Sequence, residues 1–539
     1  MKKSLESGSR CLLVFALCAL TLRSAVVDAA VYVAQASATS PPAILVFASD
    51  AIGDAAPIRV ITGGNTGLIS PDGLAVDDLN NELYVSDCYA ASIFVFALDA
   101  DGDIAPLRTI TYADGAFHCV RKVEVDTVND EIFVPSFEIT SSTISVFQRS
   151  ANGASTPIRT LSGATTRIDN PIGFAFDSVN QEIVVDSYSG GGPGVPGLLV
   201  FPSTASGDVA PSRVVAGANT LLEGYSNALA FDPDNGEIYA DANGGGGRSY
   251  VVFPRLANGD VAPTRSVSGP DTGFRLLMGF AYDRVNERVA IVDGDSHFHD
   301  PYEVQTLRVF HRIDDGDVPP VVTIGGPHTL IDDPSAIAID AGGGFSGVGP
   351  QVFASEAGFD AAVGDVGALA IEDFEGGSAA PGQTRVCSEP LDANSDDACF
   401  TPGQLIQGFV VQSSSGNGLS LIGSGSFGNA SAVVGAIFTG DATVVRFDSG
   451  VTAFALDVYL QAGSNNGGVT LAAYDGESDR PLSYTRVQPA DGAPAFFGVV
   501  SATPLKRVEL HSANGAGVAL IDNLRFKRTD DIFAGGFDP

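Results

Sequence analysis

The chain contains no tryptophan, and its basic residues are few: 29 lysines and arginines stand against 64 acidic residues, a formal net charge of −35 over 539 residues. A surface of that sign repels phosphate backbones and anionic lipid, which sets nucleic acid aside as a partner. Long apolar runs with a 3.6-residue period are missing, while glycine (63) and proline (30) are plentiful, so many short strands joined by turns are expected. No CxxC occurs, which argues against redox catalysis and a cysteine-bound zinc. Also missing are GxSxG, HExxH, a phosphate-binding glycine loop and a Rossmann fingerprint, so no familiar enzyme motif is present. Without tryptophan, a sugar platform would fall to tyrosines such as Tyr474 and Tyr484, which nothing in the sequence singles out.

The first 36 residues read as an export signal: Lys2, Lys3 and Arg10, an apolar run from Cys11 to Leu20, then small residues. Cleavage fits after Val27-Asp28-Ala29 or after Ala34-Gln35-Ala36. The apolar run is well short of the roughly 20 residues that span a bilayer, so no membrane span is expected after processing. The remaining four cysteines suit two local disulfides, Cys88 with Cys119 and Cys387 with Cys399, as an exported chain favours.

Internal repetition sets the architecture. Valine–phenylalanine pairs end at Phe47, Phe96, Phe147, Phe201, Phe253 and Phe310, each followed by a loop that usually carries Gly-Asp. An arginine follows two residues after a proline (Arg59, Arg108, Arg159, Arg213, Arg265), with Val322 in the sixth copy. It opens strand a. Strand b ends at Asp77, Asp126, Asp177, Asp232, Asp283 or Asp340; in the first five copies an asparagine lies three residues on, and strands c and d complete the unit. Four antiparallel strands per roughly 50 residues is a propeller blade, which buries its faces only by stacking around a ring. The expected fold is all-β: a six-bladed propeller over residues 37–358 closed by N-to-C strand pairing, then a β-sandwich. Closure is expected to join the Ile44–Phe47 strand with strands near Val322, Ile337 and Val352.

The segments PDGLAVDDLNNELYVSD (71–87) and NPIGFAFDSVNQEIVVDS (170–187), with GDxAPxR between copies, resemble NHL-type repeats of exported bacterial six-bladed propellers. That resemblance implies the fold; propellers of this kind serve as binding scaffolds, lactonases and lyases alike. After a glycine- and alanine-rich linker at 359–370, residues 371–528 alternate apolar and polar over about ten short runs. Their opening IEDFEG and closing LIDNLRF resemble jelly-roll modules similar to carbohydrate-binding ones, and residues 529–539 read as a disordered acidic tail.

Propeller topology puts the a–b and c–d loops on one face, and these are the loops that vary between copies, where a site is expected. They hold His118 and His328 as binding candidates. Asp295, His297 and His299, in DGDSHFHDPYE, are metal candidates because imidazoles two apart beside carboxylates suit a divalent ion. Calcium is the one cofactor expected of the second domain, where Asp373, Glu375 and Asp522 would repel one another without a hard cation; Glu372 is their neighbour. The repeated Asp–Asn–Glu set reads as turn capping. The arginines are expected to pair with the aspartate five residues earlier, as in Asp54–Arg59 and Asp103–Arg108. The functional expectation is a secreted or periplasmic, non-catalytic binding protein presenting the variable face to a protein, peptide or glycan. A metal-dependent lactonase, hydrolase or lyase at the channel mouth is the alternative.

Overall fold

The computed structural model describes residues 30–528 except 38–39, 116–117, 138–141, 223–227, 243–247, 295–303, 341, 343–345, 462–467, 477–479 and 491. Most of the expected signal segment, the expected tail and the triplet Asp295, His297, His299 therefore lie outside the described residues.

The chain is a six-bladed β-propeller followed by a β-sandwich-like domain. Each blade runs b–c–d–a from the axis outward, as in the fourth: Leu229–Asp232, Glu237–Asp241, Ser249–Pro254 and Arg265–Ser268. Side chains alternate across a strand, so successive residues serve opposite neighbours. Ile238, Ala240, Val251 and Phe253 pack towards the third blade. Tyr239, Tyr250 and Val252 pack towards the fifth. Both faces are dry, which explains the continuous apolar runs; each buried large side chain contributes roughly 1.5–3 kcal/mol.

The ring closes by shared strands. Pro334–Ile339 is strand b of the closing blade, and the N-terminal strands Ala30–Gln35, Ala43–Ala48 and Arg59–Thr62 are its c, d and a. The expected partner near Ile337 is therefore present, but two others differ. Val322–Gly325 is the outer strand of the fifth blade, and Gln351–Phe353 pairs with Ala495–Ser512 of the second domain. Their places are filled by Arg59–Thr62 on the outside and by Ala30–Gln35, which pairs with both Ala43–Ala48 and Pro334–Ile339. The propeller thus begins at residue 30, inside the segment 1–36 first read as signal.

Each d–a loop also climbs the outer edge of the preceding blade and pairs there in parallel, as Ile61 with Gly102 and Val215 with Gly259. The Gly153–Ser155 strand does the same beside Arg108–Tyr112. Outer strand edges are thereby covered.

The second domain is an eleven-stranded sheet in which the long strands Thr443–Gln461 and Ala495–Ser512 pair along their length, with shifts in register near Val451. The joint is more ordered than a linker. Ser355 caps a helix, Glu356–Val363, by accepting the Gly358 amide at 3.1 Å, and Phe359 on it packs against Phe353 and Phe496. The domain also docks on the ring at Gly53, φ +58°, where a Cβ would lie 2.5 Å from the Leu482 carbonyl oxygen.

Candidate functional site

Most repeated polar groups are used up by the fold. Asp77 accepts the Asn80 main-chain N–H at 3.0 Å and its side-chain amide at 2.8 Å, and Asp126, Asp177, Asp232 and Asp283 do the same with their asparagines. This is turn capping, as expected.

The arginines choose other partners. Arg213 forms a two-pronged pair with Glu182 (2.8 and 2.7 Å), Arg265 with Glu237 (2.9 and 2.7 Å), and Arg108 and Arg159 likewise with Glu82 and Glu131. Sheet register decides this: strand a lies two strands from the start of strand c, where these glutamates stand. The closing blade has Ala30 at that position, so Arg59 donates to the Leu98 carbonyl and lies over Tyr32. The aspartates expected as arginine partners instead cap the a–b loop of the preceding blade. Asp103 accepts from Asn65 and Asp260 from Asn219, each at 2.7 and 3.0 Å.

His328 occupies the same loop position as Asn65. Its main-chain N–H donates to Asp54 at 2.7 Å, and its ring Nδ1 lies 2.5 Å from the other carboxylate oxygen. His118 stacks on Tyr112 at 3.8 Å and contacts Asp114 at 3.1 Å. His118 is thus engaged within its own loop, and His328 by the d–a loop of the closing blade.

In the second domain, Glu375 accepts the Ala432 amide at 2.6 Å, Asp373 the Glu375 amide at 3.1 Å, and Asp522 the Ser431 hydroxyl. Asp522 stands directly across from Asp457, and burial pushes its carboxyl up to about 6 with Asp457 and Glu375 adding to the shift. Among the described residues, the one set of ligand atoms close enough to share an ion is Cys387, Asp397 and Cys399. Those cysteines form a disulfide, as do Cys88 and Cys119, which join the first blade to the second.

Two places carry groups that the repeats do not explain. The first is the axial channel. Two residues before the aspartate that ends strand b, five blades have Ala75, Ala175, Ala230, Ala281 and Ala338, and the second has Glu124. Two residues earlier, five have Gly73, Gly173, Ala228, Gly279 and Ala336, and the second has Lys122. These two side chains line a central cavity of about 40 Å³, room for roughly three waters. Lys122 Nζ donates to the Asp72 carbonyl at 3.2 Å and more weakly to Ser335 at 3.5 Å, tying the second blade to the first and the closing one. Burial lowers Lys122 to about 8 against the pull of Asp72, and raises Glu124 to about 8 against the pull of Lys122. Both side chains touch the open channel and so are only half-buried by surface, yet protein surrounds them on every side, which is what desolvates them. Comparing the copies column by column exposes this pair; looking for histidine clusters does not.

The second is a cleft of about 550 Å³ between the domains. Its propeller wall is the fifth blade's a–b loop, with Phe274 and Arg275, and the neighbouring Arg308; the facing wall carries Tyr484, Arg486 and Phe496. Asp271 fixes the geometry. It stands where two other a–b loops have Asn65 and Asn219, and its carboxylate accepts the Ala354 and Ser355 amides at 2.9 and 2.8 Å and the Ser355 hydroxyl at 2.8 Å. Arg308 is buried and paired with Asp293. Aromatic rings and arginines sharing one concave surface, in so acidic a chain, suit a ligand with negative and apolar groups side by side.

No protein family matches the chain in sequence, and no curated protein is found similar to it. In structure it is similar to a chain of a nidogen/laminin complex (16% identity, 58% of this chain and 98% of that one, TM-score 0.38). It is also similar to the WD40 propeller domain of Doa1 (11%, 55% and 79%, TM-score 0.34) and to the hydrazine synthase of Kuenenia stuttgartiensis (9%, 49% and 70%, TM-score 0.33). Similarities of this size identify no relative, and the architecture rests on the strand order itself.

Proposed function

We propose that this is an exported, non-catalytic binding protein, of NHL-like propeller type with a jelly-roll-like second domain, working in the periplasm or the medium. Its ligand site is the inter-domain cleft beside the variable face, and its ligand is a protein or peptide segment carrying carboxylates next to aromatic or aliphatic side chains. The observation that supports this is the pairing of Phe274, Tyr484 and Phe496 with Arg275 and Arg486 in a cleft of about 550 Å³, a volume in the range of ligand sites. The variable face enters through the fifth blade's a–b loop.

A metal-dependent hydrolase or lyase at the channel mouth has less support. His118 and His328 are each held by a nearby aspartate, and the channel centre has space for a few waters.

Labelled peptides that place aspartate or glutamate beside phenylalanine or tyrosine, titrated against the protein by fluorescence anisotropy, test the reading. Arg486→Glu and Phe496→Ala are each expected to weaken binding about tenfold or more, which corresponds to ~1.4 kcal/mol. Absence of binding across the peptide set, or binding indifferent to both substitutions, refutes it.

A further inference from the structure

The closing blade lacks the turn that joins strand b to strand c in the other five. There the aspartate ending strand b receives two hydrogen bonds from the turn asparagine, one from the main chain and one from the side chain. Asp340 ends the same strand in the closing blade, but strand c begins afresh at Ala30. Ala30 N donates to Asp340 Oδ2 at 2.9 Å, and Asp340 Oδ1 is buried with no hydrogen bond of normal geometry among the described residues, the Gly342 amide being near enough only to favour the charge. Arg59 also favours the charged carboxylate, while Asp78 adds like charge. A buried carboxylate with one oxygen unmatched, near a second carboxylate, calls for a further donor with positive charge.

We propose that the chain is cut between Ala29 and Ala30 on export, and that the new α-ammonium takes the place of the missing asparagine by donating to both oxygens of Asp340. Hydrolysis adds water across the Ala29–Ala30 peptide bond, leaving a carboxylate on Ala29 and an ammonium on Ala30. One N–H keeps the present contact and two more become available. This rests on the export reading, which supplies the peptidase. Val27-Asp28-Ala29 has the small residues at the positions such an enzyme reads. The rival cut after Ala36 would delete Ala30–Gln35, whose six residues are exposed by 3% or less, and with them strand c of the closing blade.

Two measurements decide it. The full chain is produced in an exporting Gram-negative host, and the exported product is sequenced from its N-terminus. A start at Ala30 supports the proposal. An exported product with another start overturns it and leaves export standing; a chain retained with residues 1–29 attached overturns both. Separately, chains beginning at Ala30, or with Gly-Ser placed ahead of it, are released from a fusion partner in an oxidising cytoplasm, each with and without Asp340→Asn. At pH 7 the free Ala30 chain is expected to melt about 2 °C or more above the extended one, and Asp340→Asn is expected to abolish the difference. Equal melting temperatures with Asp340 intact overturn the pairing.

Discussion

Lys122 and Glu124 show how a single residue can stand apart from a repeat. The other five blades have alanine or glycine at these two positions, and the second blade has two ionisable groups that line the central cavity. In the unfolded chain Glu124 loses its proton near 4.5; in the folded one burial holds the proton up to about 8. The raised value means its contribution to stability is complete below pH 4.5 and is lost as the pH climbs towards 8. Lys122, lowered from 10.5 to about 8, works in the other direction at higher pH, its burial cost relieved as the pH rises from 8. Glu124→Gln cannot ionise, so its urea-unfolding midpoint is expected to gain on the natural chain's between pH 4.5 and 8. A constant difference across that window would show that Glu124 titrates normally. The sequence held this pair in plain view, because aligning six copies needs no structure; what it could not give is that Lys122 and Glu124 line the central cavity.

Among the recurrent elements, the contact between neighbouring blades was the hardest to read. The a–b loops begin with a glycine at φ between +125° and +135° (Gly63, Gly163, Gly217, Gly269, Gly326), and the aspartate of the following d–a loop packs on each. A Cβ on Gly217 would lie 2.4 Å from Asp260 Cγ, in a backbone region that other residues rarely adopt. Gly217→Ala is expected to destabilise the propeller by roughly 2 kcal/mol or more, measured by chemical denaturation; a loss under about 0.5 kcal/mol, the usual size of surface effects, would mean that the loop relaxes freely. Asp–Asn turn capping was legible because both partners lie three residues apart. The arginine partners were not: Glu182 is 31 residues from Arg213 while Asp208 is five, and only the register across three strands ranks the distant residue first. The helix Glu356–Val363 was missed because its alanines and glycines read as a joint, although Ser355 marks its start.

For the whole molecule, blade number and ring closure followed from the period, whereas the cleft did not. Its walls come from residues near 274, 308, 353, 484 and 496, brought together only when the second domain docks. Asp271 is the link most open to test, since its carboxylate receives three hydrogen bonds from the segment that leaves the ring. Asp271→Ala is expected to split the calorimetric unfolding of the chain into two resolved transitions, with the second domain's own transition persisting. A single unchanged transition would show that docking at Gly53 and the Gln351–Phe353 strand suffices.

Ring closure also sets an order of events in time. Ala30–Gln35 is made early, but its inner neighbour, Pro334–Ile339, follows only after some 300 further residues. During that interval a largely apolar strand has an open edge, a condition that invites pairing with other chains. The long loop that must close makes the last step slow, so the nascent propeller depends on being held apart from its neighbours until Asp340 has emerged. A circularly permuted chain, with Asp340 linked to Ala30 and new ends in an outer loop, would escape that wait.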